Sequence, residues 1–338
     1  MLDSYLSFIT YNWWSVIISL LFIMYLLNFW TWILEEQLSV IWKKLKIPNS
    51  VRWATFDAAS SSLPEFLTSL TGLMILKEKW LEVGIWTIWG SAIFNILIIP
   101  ALVLLFYKWK KLISVESKWV KRDSLFYVAS ILILLLWLYF DKLAIMSVFL
   151  IWLYAFYIYF LYRNSLEHRK NNKELVEEAY LSVKNTKISY FKILFSLFLI
   201  YIWVEASVVA AQWIGEQLHI SVLIVSLILL AGITSIPDTL LSIKSSKKWD
   251  IDAGLSNAVG SNIFDICIGL WIPILIGIIF MWLNPNVDFN SQFPIFVFLI
   301  ISTLLYFIIL NKKSLSKLDW LYLLAFYIIF IAYLVWQI

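Results

Sequence analysis

One costly polar pattern occurs twice in this chain. Residues 61–65 read SSLPE within SSLPEFLTSL, and residues 234–238 read TSIPD within TSIPDTLLSI. The second copy follows VLIVSLILLAGI, a stretch without a single charge. A further pair comes after each: GSAIFNI begins at Gly90 and GSNIFDI at Gly260. Pro64 and Pro237 are 173 residues apart, and Ser91 and Ser261 are 170 apart. The matched residues are the polar exceptions to an apolar composition, so chance does not readily produce them. Any fold for this chain has to house the same expensive segment twice.

Hydrophobic residues make up 62% of the 338 and charged residues only 14%, outside the range of soluble domains and within that of multi-span membrane proteins. Apolar stretches long enough to cross roughly 30 Å of hydrocarbon recur along the chain. They predict ten spans, near 12–34, 51–76, 81–107, 124–141, 143–162, 189–214, 219–243, 253–282, 292–311 and 318–337. The start, MLDSYLSFITYNWW, lacks a basic region and a small-residue cleavage site, and reads as a retained helix. Trp and Tyr gather near span ends, as interfacial belts do.

The polar segment 163–188 divides the spans five and five. Because five is odd, the second half enters the membrane from the opposite side. The expected fold class is therefore an all-α integral membrane protein of ten transmembrane helices, built as two inverted-topology five-helix repeats. Residues 1–162 form the first repeat, 163–188 a cytoplasmic loop with a solvated helical stretch at KELVEEA, and 189–338 the second repeat. All but three of the 26 Lys and Arg fall on one side; the exceptions are Lys77, Lys79 and Lys142. The positive-inside rule makes the crowded side cytoplasmic and puts both termini outside, in a cell inner membrane. The net charge of +4 thus reports topology and points to no nucleic-acid partner. Cys267 alone forms no internal disulfide, and His168 and His219 alone do not make a usual zinc or haem site, so no cofactor is expected.

Proline removes the N–H that would bond the carbonyl four residues back, freeing the carbonyls of Ser60 and Ile233 and loosening those of Ser61 and Thr234. Such groups are tolerated at membrane depth where they line a cavity. Glu65 and Asp238, directly after the prolines, each cost roughly 2.5–3.5 kcal/mol near a helix centre. Ser61, Ser62, Glu65, Thr234, Ser235 and Asp238 offer carboxylates, carbonyls and hydroxyls, the ligands of hard cations such as Ca²⁺. Ser91 with Asn95, and Ser261 with Asp265, are four residues apart and share a helix face. Gly90 and Gly260 let a neighbouring helix approach closely. The acid and proline of each copy thus read as half of one cation site. Asp57, one turn before Ser61, reads as an extra ligand, a proton site or a carboxylate in a watery approach.

Other classes fit less well. An intramembrane aspartyl protease uses paired acids, but here one is Glu and no G-x-G-D stretch occurs. A passive cation channel would carry ions with no counter-ion. The protease gives the duplication no role, the channel stays an open alternative, and no enzyme activity is expected.

These residues resemble a known superfamily. The two motifs are similar to the α-repeats of the cation/calcium exchangers, and ATFDAASSSLPEFLTSLTG, GSAIFNIL, TSIPDTLLSI and GSNIFDICIGL look most like the potassium-dependent sodium/calcium exchanger branch. The resemblance implies an antiporter exporting Ca²⁺ against Na⁺ by alternating access, with K⁺ or H⁺ as further ions and no protein partner beyond the lipid bilayer. By position it implies Glu65 and Asp238 as the Ca²⁺ carboxylates, completed by the carbonyls of Ser61 and Thr234. Ser62, Ser91, Ser235 and Ser261, with the carbonyls of Ala58 and Ala231, would form Na⁺ sites, and Asn95 and Asp265 would lie between them. An acid at 265 leans toward potassium dependence; a proton-coupled or altered-selectivity exchanger is the alternative. The family usually has Gly where this chain has Ser60 and Ile233. β-Branched Ile233 does not readily take positive φ, and Gly232 offers that freedom one position earlier.

Overall fold

The computed structural model of the chain describes residues 9–47, 49–75, 80–107, 117–140, 143–171, 177, 180–248, 250–282, 289–312, 314–316 and 318–337. Residues 1–8, Lys77, Lys79, Lys142 and residues 172–176 of the predicted loop lie outside them.

Every regular element among the described residues is helical. In order they are α1 (Trp13–Lys44), α2 (49–61), α3 (Leu63–Ile75), α4 (Trp80–Phe106), α5 (Ser117–Phe140) and α6 (Leu143–Asn171). Then come α7 (Tyr190–Leu218), α8 (Val222–Thr234), α9 (Ile236–Lys247), α10 (Ile251–Met281), α11 (Phe289–Leu310) and α12 (Asp319–Trp336). Among the described residues six helices, α1, α4, α7, α10, α11 and α12, are long and apolar enough to cross a membrane, and α8 with α9 makes a seventh if that bent pair is one span. With large exposed side chains such as Trp14, Tyr25, Phe191 and Trp336 on its outside, the protein is a multi-pass membrane protein.

Local chemistry sets several ends. Asn12 and Ser15 form a reciprocal capping box at the start of α1, each side chain 2.9 Å from the other's backbone N–H. Ser189 and Asp250 cap α7 and α10. The charged continuation of α6 stays helical to Asn171, past the end of its predicted span at 162.

α4 is the most deeply buried of the apolar helices and α12 the least. The main core joins α4, α5, α6, α10, α11 and α12, with Trp89, Trp271, Tyr127 and Phe296 fully buried. A second cluster pairs α1 with α7 through Leu27, Leu34, Ile200 and Val204, and Ile233 of α8 packs into it. Buried Asp123 ties three helices together. It accepts from Arg122 Nε at 2.7 Å, Tyr157 of α6 at 3.1 Å and Ser256 of α10 at 3.0 Å.

Two breaks position the site. Between α2 and α3 the chain bends at Ser62 (φ −88°, ψ 5°), and between α8 and α9 at Ser235 (φ −80°, ψ 2°), the latter by 42°. Each follows a π-helical turn, Trp53–Asp57 or Ser226–Leu230. The two π turns begin 173 residues apart, the spacing of Pro64 and Pro237. π turns inside helices recur at functional sites. A third, Asp265–Gly269, interrupts α10.

Candidate cation site at the two helix breaks

Both breaks deliver their acids to one place. Glu65, in the first turn of α3, and Asp238, in the first turn of α9, are fully buried, as are Ser61, Ser62, Ser91, Asn95, Thr234, Ser235, Ser261 and Asp265. Ser91 of α4 is the hub. Its Oγ lies 2.9 Å from Ser235 Oγ, 3.3 Å from Glu65 Oε1 and 3.5 Å from Asp265 Oδ2, and it accepts from Asn95 Nδ2 at 3.3 Å. Ser235 Oγ donates to Glu65 Oε1 at 3.1 Å. Across the site Ser261 Oγ donates to Asp238 Oδ1 at 2.6 Å, so each half pairs its motif serine with its motif acid.

Glycine makes this proximity possible. A Cβ at Gly90 would lie 2.0 Å from the carbonyl oxygen of Leu227, in the π turn of α8, and 2.7 Å from Ala231 Cβ. Only a glycine lets α4 and α8 come that near. Asn262 adds a lateral tie, donating to the Ala92 carbonyl at 3.0 Å and to Tyr127 Oη at 3.1 Å.

The hydroxyls of Ser61 and Thr234 donate to the carbonyls of Asp57 and Leu230, at 2.7 and 3.0 Å, which leaves their oxygen lone pairs, like their own carbonyls, free to face a cation. The carbonyls of Ala58 and Ala231 accept the N–H of Ser62 and Ser235 at 3.0 and 3.1 Å, closing the last turn before each bend. A carbonyl has a second lone pair and keeps capacity for an ion. Asp57 stays away from this cluster. It faces Arg52 at 2.9 Å, and that guanidinium lies over the Trp42 ring.

The expected need for glycine freedom at the breaks is not met in the structure. No glycine among the described residues has positive φ, and Ile233 is helical and packed in the core. The bends use ordinary negative φ at two serines, which any L residue adopts.

Five oxygens at this centre, Glu65 Oε2, Asp238 Oδ2, Asp265 Oδ1, Asn95 Oδ1 and Ser62 Oγ, are buried without a hydrogen-bond partner among the described residues. Three carboxylates buried this way are costly unless a positive charge joins them. The donors are all oxygen, as hard cations require. Among the described residues no group of three His, Cys, Asp or Glu could hold a metal ion unaided, so hydroxyl, amide and carbonyl oxygens would have to complete a shell here. Asn257 was not foreseen. It lies one helical turn before Ser261 on the same face, and its Nδ2 donates to Asp238 Oδ1 at 3.3 Å.

Buried oxygens gathered between two broken helices make a candidate cation site in a multi-pass membrane protein. The model of the family described as sodium/calcium exchanger protein matches residues 11–163 and 188–338, so the chain belongs to that family, whose members are exchangers and not enzymes. It is 36% identical over 134 residues to sodium/potassium/calcium exchanger 3 of Homo sapiens, covering 39% of this chain and 20% of that protein. Against sodium/potassium/calcium exchanger 1 of Bos taurus it is 40% identical over 124 residues, 36% of this chain and 10% of that one. The match thus spans a fifth or less of these relatives' length. Among solved structures, the H⁺/Ca²⁺ exchanger CAX superposes with a TM-score of 0.73 at 16% identity, covering 96% of this chain and 86% of that one. The sodium-calcium exchanger NCX_Mj gives 0.59 at 23%, covering 93% and 96%. At these identities the likeness is one of fold.

Proposed function

We propose that this chain is an inner-membrane antiporter that exports Ca²⁺ against Na⁺ entry by alternating access. In this reading residues 1–162 and 189–338 are inverted five-helix repeats, ten spans in all, joined by the cytoplasmic segment 163–188 with both termini outside. The equal 173-residue spacing of the prolines and π turns and the lopsided distribution of Lys and Arg support it.

The observation that carries the reading is the set of five unpartnered buried oxygens around Ser91. Glu65 and Asp238, one from each half, hold Ca²⁺ with the carbonyls of Ser61 and Thr234. Ser62, Ser91, Ser235 and Ser261, with the Ala58 and Ala231 carbonyls, hold Na⁺, and Asn95 and Asp265 lie between. Ca²⁺ and Na⁺ compete for the same carboxylates, so the site faces one side with one ion and returns with the other. No resident cofactor is needed.

The test is ⁴⁵Ca²⁺ uptake into proteoliposomes loaded with Na⁺, beside K⁺-loaded and pH-gradient controls. Uptake that requires internal Na⁺ is the expected result. Uptake driven only by a pH gradient, or none under any gradient, overturns it. A second reading adds K⁺ co-transport, favoured by the buried carboxylate of Asp265 and by relatives whose names include potassium.

A further inference from the structure

Beside the central carboxylates, in the second half, lies a further group of oxygens that includes an amide. Asn257 is buried, and its Nδ2 lies 3.3 Å from Asp238 Oδ1 and 3.3 Å from Ser242 Oγ. These contacts orient the amide, because its oxygen in that place would face a carboxylate oxygen. The carboxamide Oδ1 is left buried without a hydrogen-bond partner among the described residues, as is Asp238 Oδ2. Ser242 is one helical turn beyond Asp238, toward Lys244 and Lys247, and Asn257 is one turn nearer than Ser261 to the start of α10. A Cβ at Gly254 would lie 2.9 Å from the Ser242 carbonyl, so the two backbones nearly touch and hold these side chains together.

The first half differs in chemistry. At the corresponding spacings it carries Thr87 and Ser69, whose buried hydroxyls also lack a hydrogen-bond partner among the described residues, but no amide. A buried unpartnered amide oxygen costs free energy that a core Leu would avoid, so a ligand that accepts it explains its presence.

We propose that Asn257, Ser242 and Asp238 form an additional subsite for a hard monovalent cation, with Na⁺ as the probe, displaced from the Glu65–Asp238 centre toward the Lys-rich end of α9. One shared carboxylate with otherwise neutral oxygens suits a single positive charge. The inference rests on the proposed topology for its sidedness. Na⁺ entering or leaving on the cytoplasmic side passes this subsite, and the opposite side has the hydroxyls of Thr87 and Ser69 in place of its amide.

The test combines equilibrium ²²Na⁺ binding to the purified full chain with sided Na⁺/Ca²⁺ exchange in vesicles, for wild type, Asn257→Ala and Asn257→Asp. Asn257→Ala is expected to weaken one class of Na⁺ binding about tenfold and to raise half-saturating cytoplasmic Na⁺ alike, with the external value unchanged. Asn257→Asp keeps the free oxygen but sets a second one against Asp238 Oδ1, so it is expected to retain Na⁺ binding while losing the amide's hydrogen bonds, and a thermal melt of Asn257→Ala that matches wild type guards against a folding defect. An unchanged Na⁺ titration in Asn257→Ala, an equal shift at both faces, or no Na⁺ binding by the wild type overturns the subsite. Wild-type Na⁺ binding that depends on Asn257 without any Ca²⁺ movement upholds the subsite and sinks the exchange reading.

Discussion

Ser91 Oγ, from the first half of the chain, lies 2.9 Å from Ser235 Oγ, from the second. The pair joins the two helix breaks, because Ser235 reaches across to Glu65 and Ser91 touches Glu65 and Asp265. Residues in direct contact couple energetically, by roughly 0.5–3 kcal/mol. Ser91→Ala and Ser235→Ala should therefore each raise half-saturating Na⁺ several-fold, while the double variant departs from the product of the two. A double-mutant cycle on exchange measures this, and strictly multiplicative effects would show that the contact has no functional weight.

Glu65 and Asp238 each present one hydrogen-bonded oxygen and one without a partner. Glu65→Gln and Asp238→Asn keep size and hydrogen bonding but remove the charge that a divalent ion needs. Each is expected to abolish Ca²⁺ exchange, a fall of at least about 100-fold on the scale of losing one buried charge partner. Expression and the gel-filtration profile should stay normal. A variant with ordinary Ca²⁺ flux would remove the central carboxylates from the mechanism.

Much of this centre was legible because membrane composition makes polar residues conspicuous. Glu65, Asp238, Ser91 and Ser261 stand out against apolar neighbours, and their duplication distinguishes them from incidental kinks. Gly90 was read correctly as a close-approach position for the same reason. Asn257 continues the four-residue spacing of Ser261 and Asp265, but its counterpart Thr87 differs in type, so the duplication does not mark it. The hub role of Ser91 depends on distances between α4, α8 and α10 that no local pattern encodes. Nor does the pattern show that Ser62 and Ser235 take the bend, since ψ near 0° with negative φ is open to any L residue and leaves no mark in residue type.

Two glycines near the site should respond in opposite ways. Gly90→Val places its Cβ 2.0 Å from a backbone oxygen, and backbone cannot move aside cheaply. Overpacking costs typically about 1–3 kcal/mol and here also separates α4 from α8. Around Gly232 nothing lies within 4 Å of an added Cβ, and its helical φ suits alanine, so Gly232→Ala gains up to about 1 kcal/mol from helix propensity. Thermal melts of the detergent-solubilised variants should show a clear fall for the first and no loss for the second.

Asp57 faces Arg52 at 2.9 Å, with the guanidinium over Trp42, and makes no side-chain hydrogen bond to the central oxygens among the described residues. An acid held in this way has a local partner and is not needed as the coupling proton site. Asp57→Asn is therefore expected to keep Na⁺-dependent Ca²⁺ uptake within about twofold, since partly exposed ion pairs are worth about 1 kcal/mol or less. Loss of uptake, or a switch in its dependence on the pH gradient, would return Asp57 to the transport mechanism.

Asp265 offers the sharpest test of the potassium question. Its Oδ2 is 3.5 Å from Ser91 Oγ, its Oδ1 has no partner among the described residues, and the π turn that begins at this residue has no equivalent at Asn95, where α4 stays regular. The second half therefore adds a charge at the place where the first half has an amide. Ca²⁺ with two carboxylates is neutral, so a third carboxylate favours one more positive charge when the site is loaded. On that argument Asp265→Asn should abolish any stimulation by K⁺ and leave Na⁺-driven Ca²⁺ uptake in place. The measurement is ⁴⁵Ca²⁺ uptake against a K⁺ series at fixed Na⁺. K⁺ stimulation that survives the substitution assigns the third charge elsewhere, and a wild type indifferent to K⁺ makes Asp265 a ligand for the Na⁺ and Ca²⁺ steps alone.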